Sequence, residues 1–254
     1  MILPQLLWRF ARHRDDPEFY RIQAVDAIRW LQTKGIPKRP DCAALDLGCG
    51  HGIFGRELSR LGIQVVYADE SNGLMPEIQG APFLKVNLDR DELQPLGRHD
   101  LVVCSNVLEH LAEPHRFLSQ AHEILTEEGV LYLSWTNWLS PWGGHEFSPW
   151  HYLGTSLGPA IYDRLASRAR FHHPHRNLFP TYIGRMLAHV RNDTQLELVA
   201  AAPRYFTEFS PLMSVPVLRE FLSWNCALLL RRRTQGIGHK SKSRWKLGVR
   251  GGSL

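Results

Sequence analysis

The stretch that decides the fold is LDLGCGHG, residues 45–52. It joins a short apolar run, CAALDLG, to IFGRELSRLG, a segment of helical periodicity with Phe54, Leu58 and Leu61 on one face. Gly48, Gly50 and Gly52 occupy every second position. Glycine there permits a tight strand–helix turn and lets backbone amides approach a ligand that a Cβ would push away. Such a turn alone suits a dinucleotide, a nucleoside cofactor or a plain corner equally well. Two carboxylates narrow the choice. Asp46 stands on the strand, two residues before Gly48, where it accepts from ordered amides and attracts a cationic ligand; a pyrophosphate would gain nothing from it. Asp69 ends the next apolar run, IQVVYAD, 17 residues beyond Gly52, where an acid can accept both hydroxyls of a ribose.

Working outward, PFLKVNL, DLVVCSN and VLYLSWTN read as further strands. HRFLSQAHEILTEEG reads as a helix with Phe117, Ala121, Ile124 and Leu125 in one stripe, ended by Gly129. Later, TYIGRMLAHV reads as a helix, and QLELVAAAPRYF and NCALLLRRR as strands closing the sheet. This alternation predicts an α/β architecture with a largely parallel sheet covered on both faces. Ligands of such sheets bind beyond the carboxyl ends of the strands, where strand order reverses. Upstream, Phe19, Ile22, Val25, Ile28 and Leu31 recur at three-residue intervals, predicting an amphipathic helix, and KGIPKRPD (34–41) reads as a linker. The expected organisation is a helical cap and linker over 1–40, a main domain over 41–230 with an insertion at 138–180, and a tail over 231–254.

The net charge of +5 invites a nucleic-acid reading until the charge is located. Residues 231–254 hold eight Lys or Arg and no acid, which leaves 22 basic and 25 acidic residues elsewhere. The basicity belongs to a Gly/Ser/Lys tail of disordered composition, read first as a solvated segment and second as a contact for phosphates of a membrane surface or nucleic acid. The four cysteines, Cys42, Cys49, Cys104 and Cys226, lack CxxC spacing and fit reduced thiols in a cytoplasmic protein. Pro4 and Gln5 interrupt the N-terminal apolar run, which is not read as a signal peptide, and no run is long enough for a membrane helix.

Together, LDLGCGHG, VVYADESNGLM, VNLDRDELQPLGRHDLVVCSNVLEHL and LTEEGVLYLSWTN resemble the class I S-adenosylmethionine-dependent methyltransferases, in the group that includes the ubiquinone-pathway enzymes. A nicotinamide dehydrogenase is disfavoured by Asp46, by G-x-G-x-G in place of G-x-G-x-x-G, and by the EH-containing segment after DLVVCSN. The resemblance implies a Rossmann-like, doubly wound, seven-stranded, mostly parallel sheet with an N-terminal helix and a cap insertion. It also implies S-adenosylmethionine as cofactor. Asp46 and the loop of Gly48, Cys49, Gly50 and Gly52 would then hold the methionine part, and Asp69 with the adjacent Glu70 the ribose. Asn87 stands where an Asp often meets the adenine amino group, with Leu88 and Asn106 completing the pocket. Relatives that require a divalent metal carry E-x-x-E-H at the following turn; here the first position is Asn106, and Glu109 and His110 alone make a poor site for a hard cation. FHHPH (171–175) is interrupted by Pro174 and reads as a solvated His-rich loop. No metal is therefore expected.

The segment WTNWLSPWGGHEFSPWHYLG (135–154) holds four of the eight tryptophans and leaves the strand VLYLSWTN directly over the expected cofactor site. Pro141, Gly143 and Gly144 make it a loop. Its aromatic surface suits a substrate wall that excludes water, because methyl transfer needs a positioned nucleophile. His145 or His151 could take the proton from a hydroxyl, with Glu146 orienting one of them or acting itself as base. Each histidine taken singly also fits a packed, hydrogen-bonded role. With SVPVLREFLSWN (214–225), the segment resembles a little-characterised actinobacterial branch of these methyltransferases. The sequence reads NVLE at 106–109, without the NPPY-type motif of many amino-group methylases. The expected reaction is O-methylation of a small-molecule, glycan or lipid-linked acceptor. The alternatives are an RNA or tRNA methyltransferase using the basic tail, and a cofactor-binding protein without catalysis.

Overall fold

The computed structural model describes residues 2–13, 16–37 and 41–233. Seven strands form one sheet: β1 (Ala43–Leu47), β2 (Gln64–Asp69), β3 (Phe83–Lys85), β4 (His99–Ser105), β5 (Leu125–Thr136), β6 (Leu196–Pro203) and β7 (Asn225–Arg232). Their order is β3-β2-β1-β4-β5-β7-β6. The first five pair in parallel, and β7 runs antiparallel between β5 and β6. Strand order reverses between β1 and β4, so the loops after these two strands define the crevice.

Alternate strand residues feed two apolar layers, which is why the strands read as nearly continuous hydrophobic runs. On one face Leu45, Leu47, Val102, Cys104, Leu131 and Leu133 pack with α4 (Pro114–Gln120) and α6 (Ile183–Asp193) through Phe117, Leu118, Ile183 and Met186. On the other, Ala44, Leu101, Val103 and Tyr132 pack with α2 (Pro17–Thr33) and α3 (Ile53–Ser59) through Ala24, Ile28, Leu31, Phe54 and Leu58. Each Val, Leu, Ile, Phe or Met among them contributes about 1.5–3 kcal/mol by leaving water.

Three expectations are corrected. The helix expected to run to Gly129 stops at Gln120, and β5 starts at Leu125. Phe117, Ala121, Ile124 and Leu125 are all fully buried, but from a helix, a turn and a strand in succession. A further helix, α1 (Leu3–His13), precedes α2; Pro4 is tolerated because the first-turn amides have no partner inside a helix. Asp16 caps α2 by accepting the Phe19 amide at 2.9 Å and also receives the Arg9 guanidinium of α1, which ties the two helices together. Leu61 lies beyond the end of α3 and is exposed.

The 138–180 insertion builds a small core of its own from Trp138, Phe147 and Leu178. It contains α5 (Gly154–Leu165), and α7 (Pro216–Leu222) lies between β6 and β7. The tail from residue 234 onward, with most of its basic charge, lies outside the described residues. None of the four cysteines forms a disulfide among the described residues. Among the described residues no helix is long and apolar enough to cross a membrane.

Candidate functional site

The loop after β1 is held by backbone bonds of the Gly48 and Cys49 amides to the Ala68 carbonyl, at 2.8 and 3.2 Å. The Gly50 amide donates to Asp69 Oδ2 at 2.8 Å, and the Glu70 amide donates to Asp69 Oδ1 at 2.7 Å. Gly48 has φ 68°, and a Cβ there would lie 2.5 Å from Val107 Cγ2. The loop thus needs glycine for its conformation and for its contact with the turn after β4. Asp46 is buried at the end of β1 and accepts the Gly55 amide at 2.8 Å. Burial raises its pKa to about 7; the Gly55 amide works against this and Asp69 adds to it.

Three cavities meet at the strand ends. One is lined by Asp46, Gly48, Cys49, Gly50, Tyr20, Gln23 and Arg204 among others. A second, on the far side of the loop, is lined by Asp69, Glu70, Asn87, Leu88 and His110. The third has an aliphatic and aromatic wall from Leu6, Phe10, Phe19, Trp142, Tyr205 and Trp224. Its polar floor is Asn106, Glu109, His110, His145 and His172, and it encloses about 910 Å³, open mouth included. Asn106 lines all three. It has φ 57°; its Nδ2 donates to Gln23 Oε1 at 3.2 Å, and its Oδ1 accepts Arg204 Nη1 at 2.5 Å and Asn225 Nδ2 at 3.1 Å.

A methyltransferase-domain family matches this sequence over residues 13–201. The chain belongs to that family. A methyltransferase of Mycobacterium tuberculosis, itself uncharacterised, is 33% identical over 236 residues, covering 85% of this chain and 89% of that protein. A counterpart in Mycobacterium leprae is 31% identical over 244 residues, covering 90% and 88%. Among solved structures, an S-adenosylmethionine-dependent methyltransferase from Mesorhizobium loti superposes with a TM-score of 0.54 at 20% identity, over 82% of this chain and 98% of that one. Magnesium protoporphyrin IX methyltransferase from Synechocystis, with bound S-adenosylhomocysteine, gives 0.51 at 16% identity, over 84% and 83%.

The cofactor of this methyltransferase is S-adenosylmethionine, and the residues present fit it. The glycine loop leaves a cradle that a side chain would fill, and Asp46 offers a buried carboxylate facing that cradle's cavity. Arg204, which the sequence reading missed, lies at the end of β6, 3% exposed, with Nε unpartnered and no salt bridge among the described residues. Nothing in the run APRYF marks Arg204, because its position in the crevice depends on two strands closing across the sheet. Asn87 is largely committed elsewhere. Its Oδ1 accepts the Asp89 amide at 3.0 Å and its Nδ2 donates to Glu70, so its side-chain amide is less free for adenine than the resemblance implies.

The cap separates the candidate catalytic residues. His145 lies on the cavity floor, its backbone in the left-handed region at φ 50°. Burial, then the neighbouring His172 and His110, lowers its pKa to about 3 against the pull of Glu146, so it is neutral at all ordinary pH. His151 is fully buried behind the cavity, with Nε2 3.0 Å from the Ser140 carbonyl and its ring against Trp138. It does not line the cavity. Glu146 accepts the Phe171 and His172 amides at 2.7 and 2.6 Å and the His172 ring nitrogen Nδ1. Burial would raise its pKa, but these bonds prevail and hold it at about 2. Glu146 is thus an anchor for the 171–172 segment. The expectation of a solvated loop at 171–175 is corrected at His172, which is mostly buried in this contact. Of the tryptophans, Trp135 belongs to the sheet core, Trp138 to the cap core, and Trp142 to the cavity wall.

Proposed function

We propose that this methyltransferase transfers its methyl group to a hydroxyl oxygen of an acceptor with a largely apolar body: a small molecule, a glycan or a lipid-linked intermediate. The observation that carries this reading is Asn106, the wall shared by the two cofactor cavities and the aromatic cavity. S-adenosylmethionine, when bound, supplies an electrophilic methyl group on its sulfonium. Asp46 would hold the α-ammonium group of the cofactor, Arg204 its carboxylate, and Asp69 with Glu70 its ribose.

Phe10, Trp142 and Trp224 enclose the acceptor and exclude water. The Phe10 and Trp142 rings meet edge to face at 4.7 Å, and Trp142 stacks on Trp224 at 6.4 Å. Among the described residues the cavity lining contains no Lys or Arg, which argues against a polyanionic acceptor such as RNA. Leu7, on the lining, is 42% exposed and suits an apolar substrate entering there. His145 and its two neighbouring imidazoles face the acceptor end and support a role in managing the hydroxyl proton.

The test is a screen of phenols, sugar alcohols, lipid-linked alcohols, matched amines and tRNA, read by release of S-adenosylhomocysteine. Turnover of hydroxyl acceptors, lost in His145→Ala, supports the reading. Turnover of amines or of tRNA alone would refute it.

A further inference from the structure

The cap brings together three imidazoles that lie far apart in sequence. The candidate ligand atoms of His110, His145 and His172 all lie within 4.8 Å of one another on the cavity floor. His110 comes from the turn after β4, His145 from the start of the cap, and His172 from its return segment. The rings are packed, with centroids 4.3 Å apart for His145 and His172 and 5.6 Å for each other pair.

The hydrogen bonds fix which nitrogens are free. His110 Nδ1 lies 2.7 Å from the Asn177 carbonyl, which can only accept, so Nδ1 carries the proton and Nε2 keeps its lone pair. His172 Nδ1 meets the Glu146 carboxylate, so its Nε2 is free in the same way. A carbonyl or carboxylate behind each ring is the arrangement that orients metal-bound histidines. His145 Nδ1 is buried without a hydrogen-bond partner.

A second observation points to a cation in the same cavity. Glu109 is 1% exposed and lines the cavity; its Oε1 accepts the Thr136 amide at 2.9 Å, while its Oε2 is buried with no hydrogen-bond partner among the described residues. An uncompensated buried carboxylate is costly, and a dication in the same cavity lowers that cost.

We propose that His110, His145 and His172 hold a divalent metal ion of the zinc class, with an open position facing the acceptor cavity. Three imidazoles and one free position are the donor set of a catalytic zinc site, and nitrogen donors disfavour magnesium or calcium. An ion centred in a triangle of 4.8 Å side would stand about 2.8 Å from each nitrogen, so inward shifts of about 0.7 Å reach zinc–nitrogen bonding distance. Resting on the acceptor assignment above, the ion's role is to bind the acceptor oxygen and make its proton easier to lose. The O–H bond breaks, the electron pair stays on oxygen, and the proton passes to Glu109.

The experiment is titration of chelator-treated full-length protein with Co2+, read by its visible absorption, followed by displacement with Zn2+. S-adenosylhomocysteine binding is measured on every sample. The expected result is one equivalent bound by wild type with a four- or five-coordinate spectrum, lost in His145→Ala and His172→Ala. Glu146→Gln should weaken it about 10- to 100-fold. His189→Ala, on α6 and on the lining of none of the three cavities, should bind as wild type. Failure of wild type to bind Co2+, or binding unaltered in His145→Ala and His172→Ala, overturns the metal site. The cofactor reading still stands if S-adenosylhomocysteine binds. Should either variant fail to fold, anomalous scattering from a zinc-loaded wild-type crystal decides: a peak among the three rings upholds the site and a peak elsewhere removes it.

Discussion

Arg204 Nη1 donates to Asn106 Oδ1 at 2.5 Å, fastening the end of β6 to the end of β4 across two intervening strands. The bond fixes the shared wall of all three cavities and leaves the rest of a buried guanidinium facing the cavity of Asp46 and Gly50. A buried guanidinium with no acid at ion-pair distance among the described residues is ready to receive an anion. Arg204→Gln is expected to weaken S-adenosylhomocysteine binding at least tenfold, about 1.4 kcal/mol. 5′-Methylthioadenosine, which lacks the amino-acid carboxylate, should bind wild type and variant alike. Calorimetry with both ligands checks this, and equal losses for the two would show that Arg204 only shapes the wall.

Asp46 should make the cofactor-free enzyme less stable as pH rises. Its folded pKa of about 7 stands above the ordinary value of 3.8, so between these limits the folded state holds a proton that the unfolded state has released. Its contribution is most favourable below about pH 4 and is lost progressively up to pH 7. Asp46→Asn keeps an acceptor for the Gly55 amide but removes the charge. At pH 8 its cofactor-free Tm should exceed that of wild type by a few degrees, with the difference vanishing at pH 4, while cofactor affinity falls. Parallel Tm–pH curves for the two proteins would contradict this.

The two cap histidines differ in what they do. His145 and His151 both have lowered pKa values, burial being the first cause in each, so they act with the opposite sign to Asp46. Their contribution is intact above pH 6.5 and is lost as pH falls below it, for His145 down to about 3. His151→Ala removes a buried ring and its bond to Ser140, and should cost about 2–4 kcal/mol in urea unfolding with turnover preserved in the folded fraction. His145→Ala should show the reverse: near-normal stability and little turnover. Loss of turnover in both at equal stability would return His151 to the catalytic set.

The placement of the candidate cofactor residues in the crevice was legible because its signals are local. Asp46, the glycines, Asp69 and Asn106 each sit at the end of a short apolar run, and the end of a parallel strand is where the crevice must lie. The acceptor half was not. His110 and His172 are 62 residues apart, and each looked inert beside its own neighbours. Only the folding of the cap over the β4 turn, with Glu146 gripping residues 171 and 172, makes them one cluster. α1 was missed because Pro4 and Gln5 break an apolar run without breaking a helix. The helix end at Gln120 was missed because the buried stripe runs on through Ala121 and Ile124 to Leu125 of β5.

Trp142 offers the sharpest test of the acceptor wall. It touches Phe10 of α1 on one side and Trp224 before β7 on the other, so one ring joins the N-terminal helix, the cap and the start of β7 around the cavity. If that wall holds the acceptor's apolar body, Trp142→Ala removes contact surface present in both bound substrate and transition state, so KM rises while kcat changes little. An aromatic contact plus its buried area is worth 1.4 kcal/mol or more, which corresponds to about tenfold or more in kcat/KM. S-adenosylhomocysteine affinity should stay within about twofold, because Trp142 lines neither cofactor cavity. Steady-state kinetics at saturating cofactor with an acceptor from the screen gives the split. A fall in Tm with KM unmoved would mean that the ring merely packs the cap onto α1, and the acceptor would then have to lie nearer the histidines than the tryptophans.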